Sequence, residues 1–169
     1  MENQNVVATP MMGFVEAVKK CFANYANFNG RARRSEWWWF YLAVGVVNSI
    51  LGWILQFFSA KKAAVVSEAI SVMFSDPDKL EALKAQEASY ANINLILMIL
   101  MGIWCLATLL PMLAAQARRL HDIGKSGHLL WLYLVCGIGG LIPLIMCIAD
   151  GKPEPNQYGE SPKYKPQVV

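Results

Sequence analysis

Three stretches of the chain, Trp37–Ala60, Ile93–Ala117 and Leu129–Ala149, contain no Asp, Glu, Lys or Arg. Crossing the hydrocarbon core of a bilayer takes roughly 20 apolar residues in a helix, and each stretch is long enough. A buried helix of a soluble domain rarely needs an uncharged run of that length. Composition agrees. The chain of 169 residues is 56% hydrophobic and only 16% charged, whereas about a quarter of a soluble domain is charged. In lipid every backbone polar group needs an internal partner, which leaves helices or closed barrels. Barrel strands alternate polar and apolar residues, and the continuous run from Leu95 to Leu100 excludes that pattern.

The sequence therefore predicts an all-α polytopic membrane protein forming a single membrane domain over 1–169. It has three transmembrane helices at 37–60, 93–117 and 129–149 and an N-terminal amphipathic interfacial helix at 10–28. Residues 61–92 are expected as an extracytoplasmic loop with a short helix, and 150–169 as a largely irregular tail. Thr9-Pro10 reads as the start of the amphipathic helix, whose apolar stripe is Phe14, Val15, Val18, Phe22 and Tyr25. The first twenty residues hold Glu2, Glu16, Lys19 and Lys20 and no apolar core, so no cleaved signal is expected. Trp37-Trp38-Trp39-Phe40-Tyr41 marks an interface. Gly45, Asn48, Ser49, Gly52 and Gln56 share one face of the first span and form a candidate helix-packing seam. Ser75-Asp76-Pro77-Asp78 resembles a helix start. Pro111 predicts a kink or a missing hydrogen bond in the second span. Gly137, Gly139, Gly140 and Pro143 make the third the hardest to build as one straight helix, with a re-entrant segment as the rival. Cys105, Cys136 and Cys147 fall in spans and Cys21 on the amphipathic helix, with no metal-ligand spacing.

Orientation follows the placement of Lys and Arg. All five arginines, Arg31, Arg33, Arg34, Arg118 and Arg119, flank the first span or close the second. The first loop balances its lysines with five acids: Glu68, Asp76, Asp78, Glu81 and Glu87. The N-terminus is expected in the cytoplasm and the tail outside.

Two clusters are more particular than generic membrane flanks: Gly30-Arg31-Ala32-Arg33-Arg34-Ser35-Glu36-Trp37-Trp38-Trp39-Phe40, and Arg118-Arg119-Leu120-His121-Asp122-Ile123-Gly124-Lys125-Ser126-Gly127. Together with Asp150-Gly151 and Asn156-Gln157-Tyr158-Gly159, they resemble the bacterial inner-membrane family called domain of unknown function 805, from about Phe14 to Pro162. The chain departs from it in a longer 61–92 connection, in His128 where an aromatic is common, and in Ser161 where the tail usually has Asp. The resemblance implies a small polytopic protein of the bacterial inner (plasma) membrane and transfers no mechanism.

The candidate site comprises Arg31, Arg33, Arg34, Glu36, Arg118, Arg119, His121, Asp122 and Lys125. One reading is a salt-bridged clamp, in which Glu36 reaches the Arg118–Arg119 pair while Asp122 folds back on its own turn. The other is a basic pocket for an anionic lipid head group or small anion. Gly124 fits a left-handed C-cap and Ser126 a cap for the next segment. Catalytic readings are poorly supported. Gly124-Lys125-Ser126 mimics the end of a phosphate-binding loop, yet Arg119 stands where that motif needs Gly. His121, Asp122 and His128 lack a fourth metal ligand, and one short turn cannot readily build a triad from Ser126, His121 and Asp122. The expected function is a non-catalytic membrane module, with no cofactor and no metal. Its expected partners are the bilayer, anionic lipid, and another copy or another membrane protein, not nucleic acid. A transporter or channel subunit is the alternative, and a small enzyme acting on lipid or isoprenoid phosphate comes last.

Overall fold

The structure, a computed structural model, describes residues 6–134 and 139–166. In chain order it contains β1 (Val6–Ala8), α1 (Phe14–Ala23), α2 (Arg34–Val72), α3 (Pro77–Asp122), a 3-10 helix (Gly127–Leu134), α4 (Leu141–Met146) and β2 (Tyr164–Pro166). The described chain is mostly helical, and α2 and α3 are each long and apolar enough to cross a membrane. It divides into two compact units, one of residues 1–43 and 108–169, the other of 44–107.

The second unit is built from the later part of α2 and the earlier part of α3, which run antiparallel. Contacts descend α3 as they ascend α2. Trp104 Nε1–H donates to Asn48 Oδ1 at 3.0 Å, the Phe58 and Tyr90 rings lie 6.4 Å apart, and Lys79 pairs with Glu68 at 2.9 Å. Val65 and Leu83 are buried between the charged ends. Farther along, Ile50, Trp53, Phe57, Leu95, Ile96, Met98, Ile103 and Leu106 are exposed. So extended an apolar surface suits lipid or another protein rather than water.

Residues 61–92 are not the loop expected from sequence. The helix of the first apolar run continues to Val72, and α3 starts at Pro77, so only 73–76 turn. The reason is composition: 61–72 and 79–92 are rich in Ala, Lys, Glu and other helix formers, and ion pairs join them. The helix start at Asp76 is as predicted, with the Lys79 N–H donating to Asp76 Oδ1 at 3.0 Å. The seam is a second correction. Only Asn48 of that face bonds to the neighbouring helix. Nothing lies within 4 Å of a methyl placed at Gly45 or Gly52, Ser49 donates to Gly45 C=O of its own helix, and Gln56 is exposed. α3 passes through Pro111 without interruption.

The first unit holds both ends of the described chain. β1 and β2 pair antiparallel, with Val7 opposite Lys165 and Ala8 opposite Tyr164, and Thr9 N–H donates to Lys163 C=O at 2.8 Å. Thr9 therefore does not cap a helix. α1 begins instead after Gly13 and is shorter than the expected 10–28. It buries Ala17 and Cys21 and leaves Phe14, Val15 and Phe22 exposed.

Leu129–Ala149 is not one transmembrane helix. Its described residues form the end of a 3-10 helix, a turn at Gly139-Gly140 and the six-residue α4, while Cys136 and Gly137 lie outside the described residues. Long 3-10 runs are uncommon, and glycine with proline lowers helix propensity. The tail is not irregular throughout: its end pairs with the N-terminal strand. A cysteine pair Ala8→Cys/Tyr164→Cys in a background free of native cysteines is expected to oxidise to an intramolecular cross-link in membranes, read by gel mobility. Absence of cross-linking there and at Val7/Lys165 would refute the pairing.

Candidate functional site

The site forms where α2 begins and α3 ends. α3 closes with a Schellman arrangement: Lys125 N–H donates to Leu120 C=O at 2.9 Å, and Gly124 N–H to His121 C=O at 2.9 Å. This needs Gly124 at φ +76°, as its place in the sequence predicts. Ser126 Oγ then accepts the His128 N–H at 3.2 Å, capping the 3-10 helix.

Two buried carboxylates organise the cluster, each held by two cations. Glu36 Oε1 lies 2.7 Å from Arg118 Nη1, and Glu36 Oε2 lies 2.8 Å from Lys20 Nζ of α1. Asp122 Oδ1 lies 2.8 Å from Arg31 Nη2, and its other oxygen pairs with Arg119. The expected link from α2 to α3 is present, with Arg118 rather than Arg119 as the partner of Glu36. Asp122 does bond within its own turn, through Arg119, and Arg31 shares it. Glu36 and Arg119 are fully buried and Asp122 nearly so. Burial pushes the Asp122 carboxyl upward, and the Arg119 and Arg31 guanidiniums oppose that shift.

The remaining N–H groups of Arg31 and Arg119 reach the tail, whereas Arg118 Nε and Nη2 are buried without a partner among the described residues. Arg31 donates to the carbonyls of Lys152 (2.5 Å), Glu154 (2.9 Å) and Gly159 (3.2 Å). Arg119 donates to Cys147 C=O at 3.2 Å and to Ala149 C=O. Asp122 C=O accepts the Lys152 N–H at 3.0 Å, and His121 C=O accepts from Asn156 Nδ2 at 2.9 Å. The His121 ring stacks on Tyr158, 3.7 Å between centroids, and its Nδ1 lies 3.1 Å from Gly30 C=O. Burial lowers the His121 pKa, against the Gly30 hydrogen bond. Gly151 faces the Asp122 carboxylate so closely that a methyl there would lie 2.6 Å from Asp122 Cγ.

The other candidate residues divide. Arg33 donates to Thr9 C=O and Thr9 Oγ1, each at 2.9 Å, and to Pro10 C=O at 2.5 Å. Arg34 and Lys125 are exposed and outside the ion pairs. Ser126 Oγ lies 2.8 Å from His128 Nδ1, while His121 and Asp122 are engaged elsewhere, so the three do not align as a triad. Lys20 and the tail carbonyls were not on the sequence-derived site. Lys20 carried a weak signal, as the basic residue one turn from the end of an amphipathic helix. Backbone carbonyls carry none. Beside His121 the same unit holds a cavity of about 910 Å³, lined by Leu109, Met112, Leu113, Trp131, Tyr133 and Tyr158 among others.

These features define a class: a small helical protein with two apolar helices of membrane-crossing length, whose ends are locked by buried ion pairs to a folded-back tail. Residues 25–160 match the family described as a protein of unknown function, DUF805, and the chain belongs to that family. It is similar to the inner membrane protein YhaI of Escherichia coli K12, 31% identical over 141 residues, which cover 83% of this chain and 90% of the relative. It is also similar to the inner membrane protein YhaH of the same strain, 29% identical over 154 residues, 87% of this chain and 96% of the relative. No solved structure matches it significantly.

Gly151→Ala is expected to destabilise the protein by about 1–3 kcal/mol, the range for overpacking, read as detergent-extracted thermal stability. Gly45→Ala, in open space on a helix, is expected to be neutral or stabilising by up to ~1 kcal/mol. Equal effects would contradict the Asp122–Gly151 contact. The lowered His121 pKa gives a pH dependence. Below the ordinary imidazole value of 6.5 the unfolded chain binds a proton that folded His121 resists, so stability rises with pH. The melting temperature is expected to fall as pH drops from neutral through 6.5 toward the lower folded value. His121→Gln should flatten that slope, and an unchanged slope would exclude His121 as its source.

Proposed function

We propose that the chain is a non-catalytic, multi-pass module of the bacterial inner membrane that presents a rigid cytoplasmic cap for assembly with itself or another membrane protein. In this reading α2 and α3 cross the bilayer, the 3-10 helix and α4 lie in the cytoplasmic leaflet without crossing it, and α1 lies at that interface. Both termini are then cytoplasmic.

One observation carries the non-catalytic reading: both buried carboxylates of the site are held by two cations each. A general acid or base needs a titratable group free to exchange a proton with a substrate, and these are committed to holding the tail. Burial also pushes the Cys21 thiol up to about 12, which removes the thiolate that a cysteine nucleophile requires. The orientation is supported by the five arginines gathered at the capped end, and the inner-membrane location by the names of the relatives. Assembly is supported by the bare apolar faces of α2 and α3, including Gly45, Trp53 and Leu106.

Reporter fusions at Val169 and within 73–76 test the topology. A cytoplasmic signal at Val169 with an external signal in the turn is expected, and an external signal at Val169 refutes it. The clamp is tested by Glu36→Gln, Arg118→Gln and the double variant. Each single change strands a buried charge, which costs about 3–5 kcal/mol, and the double variant should cost far less than their sum. Additive changes near zero would remove the clamp from the proposal.

A further inference from the structure

Arg34 stands outside the ion pairs, and a cavity lies beside it. In the first unit a pocket of about 610 Å³ is lined by Arg34, Ser35, Trp38, Trp39, Leu42 and Lys163, and Arg33, Asp122 and Asp150 also line it. Asp122 is neutralised by Arg31 and Arg119, and Asp150 by Lys163 at 2.5 Å. Among the lining residues, Arg33, Arg34 and Lys163 stand against Asp122 and Asp150, three positive charges to two negative, and Arg31 and Arg119 add two more through their pairing with Asp122. Arg34 makes no hydrogen bond or ion pair among the described residues.

Three features specify what this excess positive charge fits. The Ser35 side chain is more than nine-tenths buried, yet its Oγ has no hydrogen-bond partner, and a buried hydroxyl without one is unfavourable. α2 starts here: its first backbone bond runs from Trp37 N–H to Arg33 C=O at 3.2 Å, so the N–H groups of Arg34 and Ser35 precede the ladder at the positive end of a 39-residue helix. The remaining wall is apolar and aromatic, Trp38, Trp39 and Leu42, with Leu42 half exposed. Anion donors at one end and an interfacial aromatic wall at the other match an amphiphile rather than a soluble ion.

We infer that this pocket binds the phosphate head group of an anionic phospholipid of the surrounding leaflet. The phosphate accepts from Arg34, Ser35 Oγ and the first N–H groups of α2, and an acyl chain lies along Trp38, Trp39 and Leu42. The inference rests on the proposed topology only in placing Trp38–Leu42 at the cytoplasmic interface. It gives the cap a lipid partner and leaves the buried arginines to the clamp.

The test uses the full chain in nanodiscs of phosphatidylcholine with increasing phosphatidylglycerol, reading lipid retention by native mass spectrometry and the phosphatidylglycerol-dependent rise in melting temperature. Arg34→Gln is expected to weaken retention roughly tenfold or more, the factor that follows from losing a charge-assisted hydrogen bond. Ser35→Ala, which changes no charge and breaks no bond within the protein, should weaken it by a smaller factor. Lys125→Gln, exposed and outside the pocket, should retain most of the response. Overturning results are an unchanged response in Arg34→Gln, an equal loss in Lys125→Gln, which would mean diffuse surface charge, or an equal thermal shift from inorganic phosphate alone, which would mean a soluble anion site. Sidedness is read independently by the fusion at Val169, so failure of the pocket and failure of the topology give different results.

Discussion

Asp122 sits out of water between Arg31 and Arg119, and most of the first unit follows from satisfying that charge. A buried carboxylate is tolerated when paired and hydrogen-bonded, and removing one partner leaves an uncompensated charge. Two guanidiniums supply more N–H groups than one carboxylate can accept, so the remainder must find other acceptors. They find backbone carbonyls at Cys147, Ala149, Lys152, Glu154 and Gly159. One carboxylate thereby dictates the path of the tail, and the contact with Gly151 excludes a side chain there.

That tether constrains the third apolar stretch. Its two ends are held at one place, at the Schellman turn after α3 and at Arg119 through Cys147 and Ala149. The segment therefore starts and finishes at the same end of α3. The 3-10 helix, the Gly139-Gly140 turn and the short α4 are consistent with that return. Gln116, buried on α3, and the half-exposed Tyr133 of the 3-10 helix lie within hydrogen-bond distance of each other. In lipid such a pairing matters, because neither polar group has water as an alternative.

The division of labour among the cations follows from burial. Arg31, Arg118 and Arg119 are sequestered and face carboxylates, whereas Arg33 binds the N-terminal backbone and Arg34 faces outward beside Ser35. The run of arginines thus contains both structural and available charge: Arg31 and Arg33 lie in the segment before α2, and Arg34 is the first residue of that helix. The proposed lipid contact draws only on the available charge.

Sequence alone was enough for the membrane character, the apolar runs within α2 and α3, and most of the charged residues that the structure gathers, Lys20 excepted. Uncharged runs of that length have few other solutions, and charges flanking such runs need partners. It also determined the turn after α3, since Gly124 in this setting is read from local geometry. Three matters waited for tertiary structure. Glu36 chose Arg118 and Lys20, because adjacent positions on α3 point about 100° apart and only packing decides which of Arg118 and Arg119 faces Glu36. Residues 61–72 continued the first helix, while the helix-forming run at 79–92 joined the second span, a continuation its composition already allowed. The described part of Leu129–Ala149 formed a 3-10 helix, a turn and a short α-helix, although its composition equals that of a crossing segment. Hydropathy records the affinity of a segment for lipid. Where its ends lie is fixed by long-range bonds to tail carbonyls, which every residue possesses and no side-chain pattern encodes.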